Sequence, residues 1–181
     1  MDPSLSIRDG SSEELSKLGQ LLMKVYAALP GFPAPDEQPG YYEMLANVAR
    51  FAEKPGTRVL VALSECNEII GGVVYFADMT QYGSGGTATQ VKNASGIRLL
   101  GVDPDFRGRG AGNALALACI ELARQCGHTQ VILHTTKAMQ FAWGMYEKLG
   151  FVRSEDLDFF QQELAVYGFR LALQRRSNPV T

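Results

Sequence analysis

The amino-acid sequence predicts one α/β domain of the α+β type, a central mixed, mostly antiparallel sheet flanked by helices. Three observations carry this expectation. Two amphipathic helices come early, a set of β-rich runs joined by short turns follows, and the second half alternates strand, helix, strand, helix before a last strand. The 181 residues suit a single compact unit spanning 1–181, with no internal repeat or linker.

The elements follow from local signals. Leu5–Arg8 reads as a short first strand. Ser11 and Glu14 form a capping box, and Leu15, Leu18, Leu22, Val25 and Leu29 then recur at helical spacing until Pro30-Gly31. After a proline-rich loop, Tyr41, Met44, Leu45, Val48 and Phe51 mark one face of a second helix that Lys54-Pro55-Gly56 ends. Arg58–Glu65 and Ile69–Asp78 are β-rich runs joined by Cys66-Asn67-Glu68, a hairpin signal. Thr80–Gly96 is small and polar and reads as a mobile surface loop, with a substrate lid as the sharper alternative. Ile97–Val102 and Thr129–Thr135 read as strands, and Ala111–Cys126 as a helix with Gly127 beyond its end. Lys137–Leu149 reads as a helix with Ala138, Phe141, Ala142, Met145 and Leu149 inward, and Leu164–Leu173 as the final strand.

Composition narrows the classes of function. A net charge of −2 leaves no basic footprint for nucleic acid or an anionic membrane, and Arg175-Arg176 is a minor basic tail. No apolar run reaches the ~18 residues of a membrane span. The N-terminus has neither a basic start nor an apolar signal core. Cys66, Cys119 and Cys126 lack metal-ligand spacing, so no metal is expected; Cys119 and Cys126 read as small buried thiols. A reducing cytoplasm fits these features.

The chemistry concentrates between Arg98 and Gly112. After the strand ending at Val102, the chain turns through Asp103-Pro104-Asp105-Phe106 into Arg107-Gly108-Arg109-Gly110-Ala111-Gly112 and then a helix. Glycines let successive backbone N–H groups converge on an anion, and the helix start adds unpaired donors and the positive end of its dipole. That dipole is worth only ~0.3–1 kcal/mol, up to ~2 when partly buried, so several charge-assisted bonds are needed too, and a pyrophosphate accepts them. The alternative is a turn that merely lets helix and strand pack closely; two arginines among three glycines weigh against it. A Walker loop would need Gly-Lys-Ser/Thr, which is absent. A dinucleotide fingerprint would need GxGxxG and an acid ending the next strand, whereas that strand ends in His134-Thr135.

The strand, V-D-P, aromatic, R-G-R-G-A-G and helix order resembles the acetyl-CoA loop of the GNAT N-acetyltransferase superfamily, whose pattern is Arg/Gln-x-x-Gly-x-Gly/Ala. Arg107, Gly110 and Gly112 occupy its defining positions. A second block, Ala142 through Tyr146 to Gly150-Phe151, is similar to the family's A-x-x-x-Y-x-x-x-G-F helix end. The resemblance implies acetyl-CoA as co-substrate and a cleft where the strand before the loop splays from its neighbour. Backbone groups of Leu100, Gly101 and Val102 would pair with the pantetheine arm, and Arg107, Gly108, Arg109, Gly110, Ala111 and Gly112 would surround the pyrophosphate. An N–H near Val102 would stabilise the oxyanion formed on amine attack. Gly101 suits close approach of a ligand to the backbone.

Tyr146 is the implied acid toward the leaving thiolate. A phenol near pKa ~10 facing a thiol near ~8.5 favours a hydrogen bond over full transfer by roughly 2 kcal/mol.

The sequence departs from the family pattern twice. The Glu that many relatives place ahead of the Ile-Arg pair is replaced by Gly96, following Ser95. Asp78, Glu43 and His134 are stand-ins for that base, each also readable as structural. Met139 stands where an Asn often touches the cofactor.

Tyr26, Phe32, Tyr41 and Tyr42 fall on the early segments that form the family's substrate wall. The leading expectation is acetyl transfer to a small-molecule amine. The alternatives are a protein or peptide acceptor, favoured by an open polar groove, and a non-catalytic acyl-CoA-binding module. The resemblance also allows a homodimer through the C-terminal strands.

Overall fold

Ser11 opens the first helix as the capping box predicts: its hydroxyl accepts from the Glu14 N–H and the Glu14 carboxylate accepts from the Ser11 N–H. The computed structural model describes residues 4–174, so Arg175-Arg176 lies outside the described residues. In chain order it contains β1 (Ser6–Asp9), α1 (Ser12–Ala27), α2 (Pro39–Ala46), β2 (Thr57–Leu63), β3 (Ile69–Phe76), β4 (Ala94–Val102), α3 (Ala111–Gln125), β5 (Gln130–Thr135), α4 (Gln140–Lys148), β6 (Val152–Arg153), β7 (Phe159–Gln161) and β8 (Leu164–Ala172).

Eight strands form one mixed sheet in the order β1-β2-β3-β4-β5-β8-β6, with β7 paired to β8. Only β4 and β5 run parallel, which requires a crossover, and α3 provides it. The other pairings are antiparallel, as predicted. One apolar layer joins α1 and α2 to the sheet through Leu18, Leu22, Leu45 and Phe76. The other packs α3 and α4 on the opposite face through Leu115, Cys119, Tyr146 and Phe169.

Three boundaries differ from the sequence expectation for physical reasons. The second helix ends at Ala46 and a 3-10 turn, Val48–Glu53, continues it. The Asn47 amide donates to the Glu43 carbonyl at 2.8 Å and competes with the helical ladder there, while Val48 and Phe51 remain buried. The last helix starts at Gln140, and its inward face centres on Tyr146 with Ala142 one turn before it. Phe141, one step of ~100° away, is exposed rather than inward. Cys126 is likewise exposed, because it caps α3 where the chain turns out to Gly127; Cys119 is buried as expected.

The small, polar Thr80–Gly96 segment is anchored. It holds two 3-10 turns, Met79–Gln81 and Ala88–Gln90, with Tyr82 and Ala88 fully buried, and β4 already begins at Ala94. Tyr82 packs on Gly96: a Cβ there would lie 2.5 Å from the Tyr82 Cδ2 and 2.9 Å from the Met79 sulfur. The low-complexity composition hid this one aromatic anchor.

Gly96→Ala should therefore destabilise the protein by about 1–3 kcal/mol through overpacking, read as a lower urea midpoint at unchanged m-value.

Candidate active site

β4 pairs with β5 from Ala94↔Gln130 to Ile97↔Leu133, and there the two strands part. On its other side β4 stays paired to β3 as far as Gly71↔Val102. Between Val74↔Arg98 and Gly72↔Gly101 the register gains one residue in β4, a bulge with Leu99 in the left-handed region at φ +57°. The Asp103 N–H bonds to the Ile70 carbonyl, and the Gly101 carbonyl sits against Gly71. By strand alternation, the backbone groups of Leu100 and Val102 then face the gap and those of Gly101 face β3. The space beside Gly101 belongs to α1: a Cβ would lie 2.6 Å from Leu22 Cδ2. Helix packing therefore requires this glycine, whatever a ligand adds.

At the end of β4, Asp103 caps a 3-10 turn by accepting from the Asp105 N–H at 2.9 Å. Gly108 (φ +79°) and Gly110 (φ +84°) then take left-handed conformations that strain other residues. Gly110 is the N-cap of α3 and offers no side-chain cap, so the N–H groups of Ala111, Gly112 and Asn113 have no helical partner. Arg107 is exposed beside them. Arg109 is turned away, its guanidinium 5.1 Å from the centre of the Phe106 ring.

A cavity of about 510 Å³ runs from the strand gap to this turn. Leu100, Gly101, Val102, Arg107, Gly108, Gly110, Ala111 and Gly112 all line it, as does Met139; Arg109 does not. Met139 is the N-cap of α4 with no side-chain cap bond, and the Thr135 hydroxyl donates to its sulfur at 3.5 Å.

A second cavity, about 60 Å³, adjoins the first and shares Tyr26 and Met139 with it. Its wall includes Phe32, Tyr41, Arg98, His134, Thr136 and Phe159, without any carboxylate. Tyr26, Phe32 and Tyr41 stack edge-on or tilted with ring centres 5.5–6.0 Å apart. Tyr26, Phe32 and Tyr41 thus serve both core and cavity wall, whereas Tyr42 is buried with its hydroxyl donating to the Pro33 carbonyl and lines neither cavity.

Of the three residues considered for the missing acid, only His134 reaches a cavity. Asp78 is spent capping Thr80, and Glu43 is exposed on α2. Ser95 is buried among the Tyr75 hydroxyl and His128 Nδ1. His134 Nε2 lies 2.8 Å from the Leu157 carbonyl, which only accepts, so this nitrogen carries the proton. Nδ1 then accepts from the Tyr82 hydroxyl at 2.8 Å. Burial, with a smaller contribution from Arg98, holds the imidazole pKa below its ordinary value.

Tyr146 is buried in α4, its ring edge-on to Phe151 at 5.8 Å, and burial pushes its phenol pKa well up. It lines neither cavity, although Ala142 and Met145 on the same helix line the larger one. Tyr26 lines both, and its hydroxyl donates to the Leu100 carbonyl at 3.0 Å. Sequence reasoning placed Tyr26 only in the wall. Nothing local marks it for the cleft, because its partner lies 74 positions away.

Fold and turn together define an acyltransferase-type cleft, and comparison with known proteins identifies the class: residues 22–151 match the model of the acetyltransferase (GNAT) family, and the chain belongs to that family. Among curated relatives, glucosamine 6-phosphate N-acetyltransferase of Trypanosoma brucei brucei is 34% identical over 114 residues, 59% of this chain and 67% of that protein. Mycothiol acetyltransferase of Thermobispora bispora is 44% identical over 57 residues, 32% of this chain. The matched region spans only 19% of that relative's length. Among solved structures, a GNAT-family acetyltransferase of Staphylococcus aureus Mu50 superposes with a TM-score of 0.72 at 16% identity, covering 94% of this chain and 99% of that one. YncA of Salmonella typhimurium, solved with its cofactor acetyl-CoA, gives 0.63 at 17% identity, covering 97% and 98%. These structural likenesses establish the fold. No helix among the described residues is long and apolar enough to cross a membrane.

The depressed His134 pKa has a defined thermodynamic sign. Below the ordinary value of ~6.5 the unfolded chain takes up a proton that the folded chain refuses, so this contribution to stability is present above ~6.5 and lost as pH falls toward the folded value. Urea unfolding between pH 5 and 8 should show wild type losing stability on acidification more steeply than His134→Gln. Parallel curves would mean that the imidazole titrates alike in both states.

Proposed function

We propose that this chain transfers an acetyl group from acetyl-CoA to the primary amine of a small molecule by direct attack. The observation that carries the reading is the continuous cavity of about 510 Å³ joining the β4–β5 gap to the uncapped start of α3. Its two ends suit the two ends of an acyl-CoA. Unpartnered N–H groups with Arg107 nearby accept a pyrophosphate. The strand-like edge at Leu100 and Val102 accepts an amide-bearing arm.

Acetyl-CoA, when bound, supplies an acyl thioester whose carbonyl carbon is open to an amine. The chain's own residues then orient and stabilise. The Val102 N–H faces the gap and is positioned to donate to an oxygen that gains charge there. Tyr146 is the proposed donor toward the sulfur; its raised pKa makes it a hydrogen-bond donor rather than a full acid. Tyr26 is the second reading for that donor, favoured by its place at the junction of both cavities. The close, aromatic-walled second cavity favours a small acceptor over a protein segment. The activities in the names of the relatives, on mycothiol and on glucosamine 6-phosphate, point the same way. The free cysteines fit work in a reducing cytoplasm.

Calorimetry with acetyl-CoA tests the cofactor half. Gly110→Val forces a β-branched residue to φ +84° at the helix start and should weaken binding at least ten-fold, while costing about 1–3 kcal/mol of stability. Unchanged affinity would remove the turn from the site.

Thiol release over an amine panel tests the reaction. Tyr146→Phe should lower kcat about 10–100-fold with acetyl-CoA affinity kept, less than full proton transfer would supply because the phenol donates only a hydrogen bond. If Tyr26→Phe shows that loss and Tyr146→Phe does not, the donor is Tyr26. Acetyl-CoA binding without turnover of any amine would make the chain a binding module.

A further inference from the structure

The second cavity holds a cation that the protein leaves unpaired. Arg8, Arg58, Arg153 and Arg170 each meet a carboxylate, whereas Arg98 meets none among the described residues. Its guanidinium lies 5.8 Å from the centres of both the Phe51 and Tyr82 rings, half-buried on the cavity wall. Of its five N–H donors, one bonds to the Tyr82 carbonyl at 2.9 Å and one makes a weak contact with the Met44 sulfur at 3.6 Å. The remaining donors meet no hydrogen-bond acceptor among the described residues. Thr136 lines the same cavity, 3% exposed, and its hydroxyl has no partner in the protein. A buried hydroxyl without a partner and a partly desolvated cation without an anion are both costly arrangements, and one ligand group would relieve both.

We infer that the acceptor carries a carboxylate as well as its amine, and that Arg98 and Thr136 bind that carboxylate in the second cavity. This rests on the acetyltransferase reading above. Size is compatible: about 60 Å³ holds on the order of four waters, room for a carboxylate and its carbon. Charge supports it. No carboxylate lines the wall, His134 is held neutral, and a single guanidinium balances a single negative charge. A dianionic phosphate would need a second cation, and none lines this cavity among the described residues. Because Tyr26 and Met139 border both cavities, an acid seated on Arg98 leaves its amine at the boundary with the larger one. Arg98 and Thr136 are thus specificity residues for an amino acid.

The test compares amines that differ only in the acid group: phenylalanine with phenethylamine, 4-aminobutyrate with propylamine, and O-phosphoethanolamine as the phosphate arm. Thiol release with acetyl-CoA should give at least one acid a kcat/KM ten-fold or more above its decarboxylated partner, in line with a charged hydrogen-bonded pair. Without turnover, calorimetry should show N-acetylphenylalanine binding at least ten-fold more tightly than N-acetylphenethylamine. Arg98→Met should bring the acid-to-amine ratio near one, and Arg98→Lys should restore part of it. Thr136→Val, nearly isosteric, should lower the ratio about three- to ten-fold and keeps the test intact if Arg98→Met does not fold. Equal use of acids and amines by wild type, a ratio that survives Arg98→Met, or a preference for O-phosphoethanolamine over both acids would overturn the carboxylate assignment. If acetyl-CoA binds and no amine is turned over, the transferase reading fails, whereas equal affinity for N-acetylphenylalanine and N-acetylphenethylamine overturns the carboxylate site itself.

Discussion

The rest of the structure is arranged around the parting of β4 from β5. Four residue pairs, ending at Ile97↔Leu133, hold the strands together, and then backbone in the middle of a sheet is left without a strand partner. Buried N–H and C=O groups are not tolerated unpaired, so something must satisfy them. β3 holds the far side of β4, the bulge at Leu99 adjusts the strand, and the Tyr26 hydroxyl covers the Leu100 carbonyl. The gap is thereby kept open and polar along one edge, with apolar walls from α1 and α4. Directly beyond it the chain enters the glycine turn, so the unpaired strand edge and the unpaired helix start lie on one continuous cavity.

What could be read from sequence was what is encoded over short range. The capping box at Ser11 and the helical repeat of Leu15, Leu18 and Leu22 each act within a few residues and behave as read, and the glycines at 108 and 110 likewise act locally, in left-handed conformations. Features decided by distant partners escaped. The burial of Tyr82 depends on a missing Cβ at Gly96, 14 positions on, while the break at Asn47, though local, turns on a side-chain bond that hydrophobic periodicity does not show. β6 and β7, with two and three residues, are too short to show a period. Gly101 shows how one glycine can answer to two demands: the close approach of a ligand expected from sequence, and the packing of Leu22, which requires a glycine there by itself.

The same division separates the two halves of the site. The proposed cofactor half is made largely of main chain, namely Leu100, Val102 and the first N–H groups of α3, and the glycine pattern at that place is local in sequence. The acceptor half is made of side chains from α1, α2, β4, β5 and β7, brought together only by the fold. Arg98 lies inside the stretch that first drew attention, yet nothing in the sequence distinguishes it as a cavity residue. It becomes one because the residues around it, Phe51, Tyr82 and Met44, supply rings, a carbonyl and a sulfur instead of a carboxylate.

The exchange at Gly96 bears directly on the chemistry. The Tyr82 ring fills the space in which a side chain at 96 would sit, and its hydroxyl commits His134 Nδ1 while Leu157 commits Nε2. Among the described residues the second cavity therefore holds no free carboxylate or imidazole nitrogen to take a proton. An alkylamine near pKa ~10.4 must lose about 4.6 kcal/mol worth of protonation to attack at pH 7. With no base in place, that proton must leave to water. An ammonium reaching a wall whose one fixed charge is the Arg98 cation is disfavoured relative to the neutral amine, by Coulomb repulsion in a partly desolvated site. For an acceptor without its own anion the positive wall thus assists deprotonation; one that brings a carboxylate to Arg98 neutralises that charge, and its amine gives up its proton to water without this help. An acceptor that brings its own carboxylate to Arg98 is held at one end by attraction and leaves its amine free of any protein anion at the other.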